Sequence, residues 1–145
     1  MIDQEHLSPI QIVGISLREL HFKFSEDRES FDLKELDYKL SLQGGVGIEE
    51  DDPNEAITTF KVEVEWDEEA GPFELRIRYA AIARQDGSLT REMFEKQCRL
   101  SIMSALLSYM RPMISRLMDE AGESFRLPLI DLRHLASSTT QGDDT

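Results

Sequence analysis

Apolar and polar residues alternate along the first half of the chain, which is the pattern of half-buried β-strands. The alternation keeps one phase from Val13 to Leu17 and the opposite phase from Leu20 to Phe24. A β-bulge shifts the phase of a strand by one residue, so the change near Arg18–Glu19 predicts a bulge at that point.

Three further strands are predicted by the same alternation. Apolar residues occupy most even positions in Leu36–Ile48 and Phe60–Trp66, and the odd positions in Phe73–Tyr79. Glycines in Gly44–Gly47 predict a bulge or bend in the first of these strands. The acidic run Glu49–Glu55 is expected to be a solvated loop.

The last two strands are separated by a short polar turn and are expected to form a hairpin. Their polar faces carry Lys61, Glu63 and Glu65 on one strand and Glu74, Arg76 and Arg78 on the other. Because opposite charges stabilise cross-strand pairs, we expect Glu65 beside Arg76 and Glu63 beside Arg78.

A helical pattern follows the strands, from Arg91 to about Asp119. Thr90 is a suitable N-cap, and Gly122 is expected to end the helix. Pro112 lies inside this range and lacks a backbone N–H, so a kink or break is expected there. An extended segment, SFRLPLIDL, and a short final helix complete the predicted elements.

These elements define an α+β fold with a four-stranded antiparallel sheet, a long helix, a crossover segment and a short C-terminal helix. We expect one domain over residues 1–145, with its core at about 10–135 and a polar tail at 136–145. The helix is apolar over more than one stripe, so a second subunit is expected to cover it. The expected oligomer-interface residues are Leu75, Ile77, Tyr79, Ile102, Leu106 and Tyr109.

Charge restricts the classes of partner. The 145 residues include 29 acidic and 16 basic side chains, for a formal net charge of −13. Nucleic acids and anionic membranes are bound largely through Lys and Arg, so this balance argues against both. The first ten residues lack the features of a secretory signal, and no membrane span is predicted, so we expect a cytoplasmic protein.

No catalytic or metal-binding pattern is recognised. The three histidines, His6, His21 and His134, are scattered, and no phosphate-loop or zinc motif occurs. The single cysteine, Cys98, is interpreted as a buried apolar residue rather than a reactive thiol. We therefore expect no enzyme activity, no cofactor and no metal.

Methionine is concentrated in the helical region, where five of the six residues lie between Met93 and Met118. Each methionine taken alone is better explained as an ordinary core residue, but flexible, polarisable side chains suit promiscuous apolar binding, and their clustering on a wide apolar helix favours that role. The extended segment could be core cover or one wall of a groove for an extended peptide. The residues expected to bind polypeptide partners, called clients below, are Met103, Met110, Met113, Phe125, Leu127, Leu129 and Ile130.

The region Leu106–Leu132 resembles the SecB protein-export chaperones. Tyr109 and Arg111 match an aromatic-x-Arg pattern in the long helix of that family, and Gly122 matches the glycine at its end. The order of elements over residues 10–135 is similar as well. Two positions depart from the family: Ser108 replaces a proline, and Pro112 is additional.

The resemblance implies an ATP-independent holdase that binds unfolded or nascent polypeptides for protein export. It also implies a homotetramer, built as a dimer of dimers, and SecA as a candidate partner on the outer face of the sheet. Two residues of that face are basic where the family is acidic. The candidate docking residues are Glu19, Lys23, Glu74 and Arg76.

Two alternatives remain. One is a dedicated chaperone or binding module for a single partner, such as an antitoxin, for which changes on the docking face are tolerable. The other is a hot-dog-type enzyme, in which a sheet also wraps a long helix. That helix usually lies early among the strands, whereas here it follows all four, and a closed polar pocket near His21 would be needed to support this alternative.

Overall fold

A computed structural model describes residues 7–25, 38–66, 71–123 and 125–133. Its strands and helices are β1 (Ile10–Phe24), β2 (Tyr38–Glu49), β3 (Asp52–Trp66), β4 (Phe73–Gln85), α1 (Arg91–Gln97), a π-helical turn (Cys98–Ile102) and α2 (Met103–Ala121). The strands form one antiparallel sheet in the spatial order β1-β4-β3-β2. The predicted α+β architecture is confirmed, and β1 and β2 are the two edges of the sheet.

Both predicted ends of the helical region are confirmed. The Thr90 hydroxyl accepts a hydrogen bond from the Met93 backbone N–H at 3.2 Å. Gly122 adopts the left-handed conformation with φ of 76°, and its N–H caps the end of α2. This conformation is strained for residues with a Cβ, which explains why glycine stands there.

Pro112 does not interrupt α2, so the expected break is wrong. The irregularity lies earlier, at the π-helical turn Cys98–Ile102. A proline removes one hydrogen bond from a helix. Here Met110 and Ile114, on either side of it, are both fully buried. Burial of these two side chains against the sheet keeps the helix continuous through Pro112.

The predicted bulge in β1 is confirmed, because the pairing with β4 shifts between Leu17 and Glu19. A second shift, between Ile12 and Gly14, was not predicted, although the apolar positions change there from Ile10 and Ile12 to Ile15 and Leu17. The two irregularities change which side chains of this edge strand face the helix.

The predicted hairpin register is wrong by two residues. Glu63 lies opposite Arg76, and Lys61 lies opposite Arg78. The expectation considered β3 and β4 alone, but β4 is a central strand. Arg78 lies opposite Glu19 of β1 and approaches its carboxylate at 3.8 Å. The charge of Arg78 is therefore balanced from the opposite side of β4.

The acidic run Glu49–Glu55 is also not a loop. Glu49 already pairs with Asp52, so the connection between β2 and β3 is a tight turn. Arg84 of β4 forms ion pairs with Asp52 and Glu55 at 3.2 and 3.1 Å. Strand pairing and this shared cation outweigh the low strand propensity of the acidic residues.

Pairing of β2 with β3 continues in register from Tyr38 to Ile48, so the bulge predicted at Gly44–Gly47 is absent. Gly44 instead allows close approach of the helical layer. A Cβ atom at this position would lie 2.5 Å from the Met103 Cε and 2.8 Å from its Sδ. Gly47, three residues on, has open space around it.

The core lies between the sheet and the helical layer. We call the sheet face that carries the helices the inner face and the opposite one the outer face. In β3 and β4 the side chains of alternate residues are buried on the inner face. The fully or nearly fully buried residues of α2 form one stripe that packs against them: Met103, Leu106, Leu107, Met110, Ile114 and Met118.

We predict that Gly44→Ala lowers the free energy of unfolding by about 1 kcal/mol relative to Gly47→Ala. The added methyl group meets the buried Met103 side chain in the first variant and open space in the second. Overpacking of a core costs on the order of 1–3 kcal/mol. Urea denaturation of both variants measures the difference, and equal stabilities would contradict the role assigned to Gly44.

Candidate functional site

The antiparallel topology gathers aromatic residues at one end of the sheet. The end of β1, the start of β2, the end of β3 and the start of β4 all meet there. Each of these strand ends carries at least one aromatic ring, and a further ring comes from the segment after α2. We define this aromatic cluster as Phe22, Phe24, Tyr38, Trp66, Phe73 and Phe125.

The rings of the aromatic cluster form a connected network. Phe73 is fully buried at its centre, with ring centroids 5.2 Å from Trp66 and 5.5 Å from Phe125. Tyr38 lies 5.2 Å from Phe125 and is 40% exposed. The Trp66 indole N–H donates to the Phe73 carbonyl at 2.8 Å, which fixes the orientation of its ring. The network therefore has a buried centre and an accessible aromatic rim.

The crossover segment, defined as residues 125–133, begins at Phe125 of the aromatic cluster. Phe125 and Leu127 point inward and are buried, whereas Leu129 is 96% exposed. The Arg111 guanidinium of α2 donates to the carbonyls of Leu127 and Pro128, both at 2.8 Å. Side chains of α2 therefore hold backbone that has little regular secondary structure of its own.

The seven residues expected to bind clients fall into three groups. Met103 and Met110 are core residues under the sheet, and Phe125 and Leu127 are also buried. Met113 and Ile130 are partly buried against the core, and Leu129 is exposed. The structure thus brings the crossover residues together with the aromatic cluster but places two of the methionines in the interior.

The six residues expected at an oligomer interface are also mostly interior. Only Tyr109 is exposed, at 54%. The other five are buried within the chain: Leu75, Ile77, Tyr79, Ile102 and Leu106. The sheet of the same subunit covers most of the wide apolar surface of the helix, which sequence analysis expected a second subunit to cover.

Exposed apolar surface occurs instead along β1. Leu17 and Leu20 lie opposite Tyr79 and Ile77, so both belong to the inner face, yet each is 41% exposed. The rings of Tyr79 and the exposed Tyr109 are 6.4 Å apart. Leu17, Leu20 and Tyr109 therefore form an apolar strip at the β1 edge, on the side of the sheet that carries α2.

Charges on the outer face are compensated within the sheet. Glu19 contacts Arg76 at 3.2 Å as well as Arg78, and Arg76 also contacts Glu63 at 3.6 Å. The Glu74 carboxylate accepts a hydrogen bond from the His21 Nε2 at 2.9 Å. Lys23 lies directly across from Glu74. The four candidate docking residues thus lie on one face, where acidic groups have basic neighbours.

The residues that could have suggested catalysis or metal binding lie in ordinary structural environments. Cys98 is fully buried, and desolvation raises the pKa of its thiol, as expected for a core residue. His21 lies on the open outer face, not in a closed polar pocket. Within the described ranges, no group of three or more His, Cys, Asp or Glu side chains could hold a metal ion. His6 and His134 lie outside the described residues.

Of the six residues in the aromatic cluster, only Phe125 was predicted from sequence as a site residue. The sequence carried a signal for the others, because an aromatic residue ends β1 and β3 and another begins β2 and β4. Antiparallel order alone would have placed these ends together. The cluster becomes visible only when the ends of all four strands are compared, because each strand by itself shows only which residues face the core.

Comparisons with known proteins agree with this arrangement at the level of the fold. No protein-family model matches the sequence, and no curated protein matches it. A solved structure is similar: the SecB-like chaperone Rv1957 of Mycobacterium tuberculosis, in complex with a ChAD peptide from the HigA1 antitoxin Rv1956. The TM-score is 0.63 at 14% identity, over 85% of this chain and 88% of the other.

The fold is therefore SecB-like, as the resemblance over the helix and crossover implied. The similar structure is that of a chaperone that binds a peptide, not that of an enzyme. Among the residues described, no helix has the length and apolar character needed to cross a membrane.

We predict that His21→Asn raises the pKa of Glu74 toward its usual value. The hydrogen bond from His21 is the main cause that lowers this pKa in the folded protein. A lowered folded-state pKa contributes stability above the ordinary carboxyl pKa, which is lost as the pH falls through the lowered value. The variant should therefore lose less stability on acidification.

Carboxyl titration by NMR measures this shift. Asp86 provides an internal control, because its pKa is lowered by hydrogen bonds from Ser88, far from His21 along the chain. An unchanged Glu74 titration in the variant would show that the His21 contact does not form in solution.

Proposed function

We propose that this protein is an ATP-independent holdase that binds unfolded polypeptides through the aromatic cluster and the crossover segment. The observation that carries the proposal is accessible apolar side chains at both ends of one buried connection: Tyr38, which is 40% exposed and packs on the buried Phe125, and Leu129, which is 96% exposed and follows Phe125 by four residues. Monomeric proteins rarely expose large connected apolar patches without a binding role. The SecB-like fold supports the same assignment.

Binding on this surface is driven by apolar burial, which contributes about 25 cal/mol per Å² before the cost of ordering the client. Aromatic rings and leucine offer contact area without a precise polar readout, so many client sequences are acceptable. A net charge of −13 keeps the free protein soluble and favours clients with basic flanks. We place this activity in the cytoplasm, in support of protein export.

The proposal predicts that stoichiometric amounts of the protein suppress aggregation of a chemically denatured client on dilution. Light scattering measures this effect. Replacement of the exposed rim by Tyr38→Ser and Leu129→Ser should weaken suppression severalfold, because client contacts are lost while buried residues stay in place. Ile57→Ser is the matched control, since Ile57 is 46% exposed but lies on the outer face. Absence of suppression by the wild-type protein would reject the proposal.

Trp66 provides a direct measurement of binding at the same site. It is the only tryptophan in the sequence and belongs to the aromatic cluster. Binding of a client peptide without tryptophan should shift the fluorescence emission of Trp66. This shift should be smaller in the Tyr38→Ser variant. If the protein suppresses aggregation but Trp66 emission does not change, the clients bind elsewhere on the protein.

A second candidate function is a dedicated chaperone for one partner, such as an antitoxin. Charge compensation on the outer face favours it, because Glu19, Glu63 and Glu74 already have basic neighbours. A partner that recognises an acidic face would find fewer unpaired carboxylates there. The similar structure in complex with an antitoxin peptide is consistent with this role. Pull-down distinguishes the two: one stoichiometric partner without affinity for unfolded chains indicates the dedicated chaperone.

We also propose that the protein self-associates through the β1 edge, as part of a dimer of dimers. An edge strand has unpaired backbone groups, and Leu17, Leu20 and Tyr109 add apolar area beside it. Of the interface residues expected from sequence, Tyr109 is retained in this proposal. The other five support the surface from the core.

We predict that Leu17→Lys shifts the assembly toward smaller species, because it places a charge in the buried part of the proposed interface. Ile57→Lys introduces the same charge at an exposed position of the outer face and should leave the assembly unchanged. Native mass spectrometry of both variants and the wild type gives the subunit number. A monomeric wild-type protein, or equal effects of the two variants, would contradict the β1 interface.

A further inference from the structure

The Arg111 side chain of α2 contacts the backbone of the crossover segment. Its guanidinium donates one hydrogen bond to the Leu127 carbonyl and a second to the Pro128 carbonyl, each at 2.8 Å. Hydrogen bonds from a charged donor are among the stronger ones in proteins. Two parallel bonds to consecutive carbonyls also fix the direction of the chain, because the guanidinium is planar.

The clamped carbonyls lie immediately before the most exposed apolar residue of the described chain. Leu129 is 96% exposed, whereas Leu127, two residues earlier, is buried. Pro128 stiffens the link between them because its ring fixes φ. The position of Leu129 relative to the aromatic cluster is thus set by an anchor in α2, and not by burial of its own side chain.

We propose that Arg111 is a positioning residue for client binding, which holds the crossover segment so that Leu129 and the aromatic rim form one surface. This inference rests on the proposed holdase function and assigns a role to a residue that does not itself contact the client. An unclamped segment would have to be ordered at the moment of binding, and that entropic cost would reduce affinity.

Arg111 is clearly distinguished from the other arginine in the middle of α2. Arg116 is exposed, and the structure assigns it no hydrogen bond or ion pair among the described residues. Arg111→Met and Arg116→Met therefore remove the same charge from the same helix, but only the first removes the two bonds to the crossover segment. The pair separates positioning from long-range electrostatics.

The experiment measures the affinity of each variant for a fluorescein-labelled, unstructured peptide rich in leucine, phenylalanine and lysine, by fluorescence anisotropy. We expect Arg111→Met to bind about tenfold more weakly, which corresponds to about 1.4 kcal/mol, because the crossover segment must then be ordered when the peptide binds. Arg111→Lys should be intermediate, because an ammonium cannot bond both carbonyls in the same geometry. Arg116→Met should bind as the wild type does.

Hydrogen exchange and thermal unfolding provide readouts that separate positioning from general destabilisation. Arg111→Met should accelerate amide exchange selectively in the crossover segment, with little change in the β3 and β4 core or in Tm. Leu129→Ser should weaken binding in the wild type but add little in the Arg111→Met background, since residues acting as one unit are non-additive.

The outcomes are distinguishable. If the wild type does not bind the peptide, the proposed holdase function fails. If the wild type binds and Arg111→Met binds equally well, the positioning role fails while the holdase function stands. The positioning role is also rejected if Arg116→Met loses as much affinity, or if exchange in Arg111→Met rises throughout the core. Should Arg111→Met not fold, the same comparisons apply to Arg111→Lys.

Discussion

Packing of α2 against the inner face of the sheet is the interaction on which the rest of this structure depends. One stripe of the helix, including Met110 and Ile114, is removed from water by β3 and β4. The stripe is long enough to keep the helix continuous through Pro112, and Gly44 of β2 leaves room for Met103. Because the helix is anchored along its length, its C-terminal half becomes a fixed platform for the segment that follows it.

The accessible apolar surface results from where this packing stops. The sheet is wider than the helix that covers it, so the β1 edge keeps Leu17 and Leu20 exposed on the inner face. At the end of the sheet that holds the strand ends, aromatic rings fill the space with Phe125 and leave a rim exposed. The two surfaces differ in character, and we propose different partners for them: a second copy for the edge strand, and extended, non-native chains for the aromatic rim.

Charge has a different role on the outer face. The protein is strongly acidic overall, but Arg76 and Arg78 balance the carboxylates around Glu19. Individual exposed ion pairs contribute little stability. Together they give the outer face a near balance of acidic and basic groups, although the protein as a whole is acidic. A partner that needs a strongly acidic face is therefore disfavoured there. The hairpin register that produces this balance was mispredicted, because a central strand such as β4 is paired from both sides.

Local patterns in the sequence determined the four strands, the bulge near Glu19, the Thr90 cap and the Gly122 terminus, because each depends on neighbouring residues and on backbone conformation. The resemblance in the helix and crossover indicated the SecB-like fold. Only the tertiary structure decided which apolar residues are core and which are accessible. Met103 and Leu129 look equally suitable in the sequence, but one is buried over Gly44 and the other is 96% exposed beyond the Arg111 clamp. Exposure is a property of contacts between distant segments, and periodicity along one segment does not contain it.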